Sequence, residues 1–372
     1  MGTRNRKLLF FLHYQRYLGL TNLDFSKSLH IYWLHGTWSS TAIQIVVVGV
    51  FMAALLGALA ESLYYMETKS QTGNTFDNAV ILTTSVTQLL ANLWLRSQQK
   101  SQVNLLQRLS QVVELLQFEP YAVPQFRWLY RIWLLVCLIY GAMVTHFGIN
   151  WLTTMQISRV LTLIGFVYRC VLANFQFTCY TGMVVILKKL LQVQVKQLEH
   201  LVSTTTISMA GVAGCLRTHD EILLLGQREL IAVYGGVILF LFIYQVMQCI
   251  LIFYISNLEG FHSSNDLVLI FCWLAPMLFY LILPLVVNDI HNQANKTAKM
   301  LTKVPRTGTG LDRMIEKFLL KNLRQKPILT AYGFFALDKS TLFKLFTAIF
   351  TYMVILVQFK EMENSTKSIN KF

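Results

Sequence analysis

Leu342-Phe343-Lys344-Leu345-Phe346-Thr347-Ala348-Ile349-Phe350-Thr351-Tyr352-Met353-Val354-Ile355-Leu356-Val357-Gln358-Phe359 is the stretch on which the reading of this chain turns. It is apolar enough, and as a helix long enough, to cross a bilayer core of about 30 Å. It is not uniformly apolar. At about 100° per residue, Thr347, Thr351, Val354 and Gln358 fall within about 60° of one another. Such a stripe suits a helix that lipid or protein covers on most sides and water touches on one.

Working outward, six more apolar runs alternate with polar segments, near residues 40–61, 77–95, 129–149, 157–187, 230–256 and 267–288. Each can span the hydrocarbon as a helix. The fourth and fifth are longer than a bilayer requires, so they are expected to tilt or to continue beyond it. The chain is 55% apolar and only 13% charged, far from soluble composition. The expected fold is all-α, a polytopic membrane protein of seven transmembrane helices.

The formal net charge of +14 would suggest nucleic acid in a soluble protein. Its distribution argues otherwise. Lys and Arg number 5 in residues 1–39, 4 in 96–127, 5 in 188–229 and 10 in 289–340. The alternate segments hold 1 in 62–76, none in 150–156 or 257–266, and 2 in 361–372. Basic residues collect on the cytoplasmic side, so the N-terminus is expected inside and the C-terminus outside. The excess charge then faces the anionic inner leaflet, and the expected partner is lipid, with no nucleic acid. Two sequons on opposite sides of the last span test this, at Asn295 and Asn364, of which only Asn364 is expected outside.

Between the spans, residues 98–118 and 188–202 carry apolar positions at helical spacing, as do Met314, Ile315, Phe318 and Leu319. These amphipathic faces call for a packed helical domain below the membrane. Pro305, Thr307-Gly308-Thr309-Gly310 and Pro327 mark its turns.

Catalysis is poorly supported. The histidines are scattered, without the His/Cys pairings of a metal site, and no nucleophile motif accompanies His219-Asp220. No metal, cofactor or enzymatic activity is expected. None of the six cysteines lies in an external loop, so no disulfide framework is implied. The polar residues inside the spans carry more information, because they are costly in a bilayer and usually face the bundle interior. Span 2 holds Thr83, Thr84, Thr87, Gln88 and Asn92; span 4 holds Arg159, Arg169, Asn174 and Gln176; span 5 holds Gln245 and Gln248. Arg169 lies about 18 Å along span 4, too deep for easy snorkelling. Arg169, His146, Gln245 and Trp273 are the candidates for a ligand pocket beside span 6, where Pro276 and Pro284 should open space. As a buried strut, an interfacial histidine and a membrane-interface aromatic, the same residues need no ligand.

Cys272-Trp273-Leu274-Ala275-Pro276 and Asp312-Arg313-Met314 imitate motifs of G-protein-coupled receptors. The first has one residue too many, the second lies in the wrong place, and the charge bias demands the opposite topology. Thr351-Tyr352, five apolar residues and Gln358-Phe359, introduced by Gly333-Phe334-Phe335-Ala336-Leu337-Asp338, instead resemble the C-terminal signature of insect gustatory receptors. That resemblance implies a tetrameric ligand-gated cation channel of identical or related subunits, related to the odorant receptors and needing no G protein for gating. It implies small-molecule tastants and a plasma-membrane location on gustatory neuron dendrites. It also implies a pore lined by the last helix, with Gln358 and Phe359 at its gate and Val354, Thr351 and Thr347 below. The sugar-sensing branch has an acidic residue after Thr-Tyr; here stands Met353, which favours a bitter or other non-sugar type. If the helix continues, Glu361 falls near Gln358 and Glu363 close by, ringing the mouth with carboxylates. The organisation expected is a cytoplasmic segment 1–39, transmembrane helices and their extensions over 40–288, an anchor segment 289–341, the pore helix 342–360 and an external tail 361–372. An auxiliary subunit, or a transporter without visible repeats, are the alternatives.

Overall fold

A computed structural model describes residues 71–118, 124–153, 157–203, 209–259, 264–304, 310–324 and 328–369, with isolated positions and two short strands before residue 50. The main elements are α1 (Gln71–Ser97), α2 (Gln99–Leu115), α3 (Pro124–Thr153), α4 (Ile157–Ser203), α5 (Met209–Leu224), α6 (Ile231–Glu259), α7 (Ser264–Val287), α8 (Ile290–Leu301), α9 (Gly310–Arg324) and α10 (Lys339–Ile369). A π-helical turn, Leu225–Leu230, joins α5 to α6 without a break. The architecture is helical. Its one addition among the described residues is an antiparallel hairpin, β1 (Leu23–Ser26) with β2 (Ile31–Leu34), paired Leu23 to Leu34 and Ser26 to Ile31.

Among the described residues, five helical stretches are long and apolar enough to cross a membrane: Arg127–His146, Leu163–Ser203, Met209–Ile252, Cys272–Leu301 and Lys339–Phe359. They correspond to spans 3 to 7. The first expected span lies outside the described residues except for Ala42, Ile45, Val46 and Gly49. The second is α1, a full-length helix too polar to stand with the other five. Its hydroxyls nevertheless suit a helix, because they bond back along it: Thr84 Oγ1 donates to the Val80 carbonyl at 2.7 Å and Thr87 Oγ1 to the Thr83 carbonyl at 2.8 Å.

α4 contains 47 residues, about 70 Å at 1.5 Å per residue, more than twice a bilayer core. The amphipathic segment expected at 188–202 is therefore the lower part of span 4 rather than a separate helix. α1 lies along α6, α3 along α4, and α7 against both α4 and α6. Tyr140, Phe175, Phe177, Tyr244 and Tyr280 fill the centre of this bundle, each under 2% exposed.

A second core forms where α4, α5, α8 and α9 converge. Leu198, Val212, Leu216, Leu301, Leu311, Ile315 and Phe318 are buried there, with Met314 and Leu319 packed alongside. The loop between spans 6 and 7 is thus a packed subdomain, as its apolar periodicity requires; Pro305 and Pro327 lie outside the described residues. The last helix extends beyond its apolar segment. It runs past residue 360 to Ile369.

Candidate functional site

The polar residues of the spans meet in two clusters within the bundle. Arg169 is 4% exposed. Its guanidinium donates to Ser85 Oγ on α1, while its Nε has no partner among the described residues. One residue on, Cys170 Sγ lies 3.3 Å from the Tyr244 hydroxyl of α6. Next to that tyrosine, Gln245 Nε2 donates to the Met277 carbonyl of α7 at 2.9 Å, and its Oε1 is left without a partner. One helical turn from Met277, half-buried Trp273 packs its ring 5.0 Å from that of Phe166, with its indole N–H unpartnered. Of the four pocket candidates, Arg169, Gln245 and Trp273 are therefore linked through α4, α6 and α7. His146 is exposed on α3.

Deeper along α1 and α4, Gln88 Nε2 donates to Gln176 Oε1 at 3.2 Å, and Gln176 Nε2 donates to Asn92 Oδ1 at 2.8 Å. Gln88 Oε1 is left without a partner among the described residues. The layer at Arg169 holds more such atoms, Arg169 Nε, Gln245 Oε1 and Trp273 Nε1, and each costs free energy until something satisfies it.

α10 is introduced by a built turn. Ala331 N–H donates to the Phe335 carbonyl and Leu337 N–H to the Leu329 carbonyl, at 3.0 and 2.9 Å. The turn closes through positive φ at Tyr332 (51°) and Gly333 (84°); glycine meets that demand without strain. Asp338 Oδ1 then accepts the Thr341 N–H at 2.8 Å, capping the helix. The quoted Gly333–Asp338 block is thus the turn and cap that aim α10.

Among the described residues, α10 packs chiefly on α6 and α7. The face that does so carries Ile349, 4% exposed, with Leu342, Leu345 and Leu356 against the same core. Thr347, Thr351, Val354 and Gln358 lie about 140–180° away from Ile349 around the helix. All four are exposed. The threonine hydroxyls bond back to Phe343 and Thr347 carbonyls, at 3.0 and 2.8 Å. Phe343, Phe346 and Phe350 stand exposed on one flank, Tyr352, Ile355 and Phe359 on the other. Because the helix continues, exposed Glu361 sits about 60° from Gln358. Position 363 follows two residues on in the same helix. Asn364 also lies within the helix.

The chain matches the family described as 7tm chemosensory receptor over residues 8–363. It belongs to that family. The receptor is 39% identical over 374 residues, 96% of each chain, to "Gustatory and pheromone receptor 39a, isoform C" of Drosophila melanogaster. Isoforms D and A of the same fly receptor are 85% and 86% identical to it over 100 residues, 27% of this chain. In fold it is similar to the insect olfactory receptor OR5 from Machilis hrabei, with TM-scores of 0.57 with eugenol bound and 0.60 without. Those matches cover 95% of this receptor and 98% of the other chain at 10% identity, a likeness of fold alone. The expected kinship with insect gustatory receptors holds, and the family is one of multi-pass chemoreceptors, not enzymes.

Below the polar layer the receptor carries two features that sequence reading missed. Gln15, outside every span, is 3% exposed. It accepts from Gln102 Nε2 at 3.0 Å and from Thr21 Oγ1 at 3.3 Å, and its own Nε2 lies 3.3 Å from the Tyr234 hydroxyl. This ties the N-terminal segment to α2 and α6. No local pattern marks Gln15, because the signal is a partner far along the chain. The other is His219, fully buried in the second core, with Nδ1 3.1 Å from Gln194 Oε1 and 3.2 Å from Thr297 Oγ1. Burial pushes its pKa down to about 4, so it is held neutral. Beside it Lys321 pairs with Asp220 at 2.6 Å.

Proposed function

We propose that this receptor is a subunit of a ligand-gated, non-selective cation channel, a tetramer of identical or related copies opened by a small-molecule tastant of the bitter or other non-sugar type. One observation carries the reading: the polar stripe of α10 is exposed and lies opposite the face that packs on α6 and α7. A stripe aimed outward from its own bundle, between two apolar flanks, fits a four-fold axis at which copies meet flank to flank. The stripe residues then become rings. Gln358 supplies amides that hydrogen-bond water or a partly dehydrated cation, Val354 an apolar collar that resists wetting when narrow, and Glu361 a carboxylate ring at the outer mouth.

The tastant binds in the layer of Arg169, Gln245 and Trp273, with His146 toward the outer end of α3. Its affinity is greater for the arrangement in which the rings are wider, and that difference drives opening. α6 is the natural link, since it bears Gln245 and also supports α10. In this reading residues 1–39 and 289–341 are cytoplasmic, the C-terminal end is outside, and the receptor works in the plasma membrane of gustatory dendrites without a G protein.

The test records currents from cells expressing only this chain against a panel of non-sugar compounds. Gln358→Ala and Val354→Ala should change leak, gating or ion selectivity while tetramers still assemble. Unchanged currents in both would mean that α10 does not line the pore. Current that needs a second receptor chain would make this an auxiliary subunit.

A further inference from the structure

We infer that Lys344 places a positive ring at the inner end of the pore and makes the cation current rectify inward, an inference that rests on the channel reading above. Lys344 lies in the second turn of α10, exposed, and makes no hydrogen bond or ion pair among the described residues. Around the helix it stands about 20° from Thr351 and about 40° from Gln358, but about 140° from Ile349 on the packed face. It therefore belongs to the stripe. A lysine that merely snorkelled to lipid headgroups would have no reason to share the angular position of the channel-lining residues.

The stripe is then polarised along its length. Lys344 marks one end and Glu361 the other, about 25 Å apart at 1.5 Å per residue. That exceeds the Debye length of about 8 Å at physiological salt several-fold, so the two rings act on their own ends of the pore and do not neutralise each other. A positive ring depletes cations on the inner side, and a negative ring enriches them on the outer side. Both effects favour inward over outward cation flow. A ring potential of about one kT changes the local concentration of a monovalent cation about threefold, which sets the size of rectification expected.

The test uses sodium as the permeant probe in symmetric sodium chloride, in a Val354→Ala background whose relaxed collar leaks without agonist. The ratio of inward to outward current at equal and opposite voltages should be about threefold and should grow as salt is lowered. Lys344→Gln should lower it to the share that the Glu361 ring alone supplies, and Lys344→Arg should preserve it. Lys344→Cys, modified on assembled surface channels, gives a readout independent of folding: a cationic thiol reagent should restore rectification and an anionic one should lower it further, toward a symmetric current. A ratio that Lys344→Gln and both reagents leave unchanged, in channels whose selectivity Gln358→Ala still alters, overturns the role of Lys344 alone. No leak with Val354→Ala and no effect of Gln358→Ala overturn the channel reading instead.

Discussion

Replacing Gly236 with alanine should destabilise the receptor through one identifiable clash. A Cβ at position 236 would lie 2.5 and 2.6 Å from Cε2 and Cδ2 of Trp94 and 2.9 Å from its Nε1. Relaxed carbon contacts are about 3.5–4.0 Å, so the indole or the helix must move by about 1 Å. The indole has little room to do so. It stands edge-on to Tyr332 with ring centroids 4.8 Å apart, and Tyr332 backbone is itself pressed on Gly235, where a Cβ would come 3.0 Å from its nitrogen. Overpacking of this kind costs about 1–3 kcal/mol. The measurement is the thermal midpoint of the detergent-solubilised receptor, read as the monodisperse fraction after heating, for Gly236→Ala, Trp94→Ala and the pair. Trp94→Ala alone loses packing, but it also removes all three clashing atoms. The pair should therefore be no less stable than Trp94→Ala by itself, a coupling of about 0.5–3 kcal/mol. Additive losses would refute the reasoning and show that Gly236 is required for something other than the indole.

Asp338→Ala removes the cap on Thr341 and should cost about 1 kcal/mol, seen as a lower thermal midpoint that Asp338→Asn largely recovers. His219, with a pKa near 4 when buried and about 6.5 when unfolded, contributes stability that is complete above about pH 6.5. It is lost as pH falls toward 4, because the unfolded chain takes up a proton that the buried imidazole refuses; His219→Gln should flatten the midpoint between pH 7 and 4.5, and an unchanged pH profile would count against it. Asn295, in α8 with its amide 3.0 Å from His291 Nε2, should never carry glycan, whereas Asn364 should accept one if reach from the membrane permits. Glycan on Asn295, detected by a glycosidase mobility shift, would invert the topology.

Much of the fold was legible because its signals are local. The helices of spans 3 to 7 follow from apolar length, and the Met314–Leu319 face follows from its spacing. Hydropathy bounds the apolar part of the last helix at residue 360 but not the helix itself, which stops only where its backbone hydrogen bonding stops, at Ile369. The candidate site divides in the same way. The α10 stripe is visible at 100° per residue, and Arg169 stands out as a charge deep in an apolar run. Ser85, Cys170 and Tyr244 do not stand out, since serine, cysteine and tyrosine are inexpensive in such a helix.

By itself the sequence determined a membrane-embedded helical protein, its charge asymmetry and the amphipathic pattern of its last helix, because hydrophobic burial and helical period act on neighbouring residues. Only the tertiary structure decided which way that stripe points, which polar atoms remain unsatisfied around Arg169, and that Gln15 and the Tyr332–Gly333 turn tie distant segments to α6. Those are pairings between residues as much as 219 positions apart, as for Gln15 and Tyr234. Their energy depends on side-chain packing to within a fraction of an ångström, which no periodicity along the chain encodes.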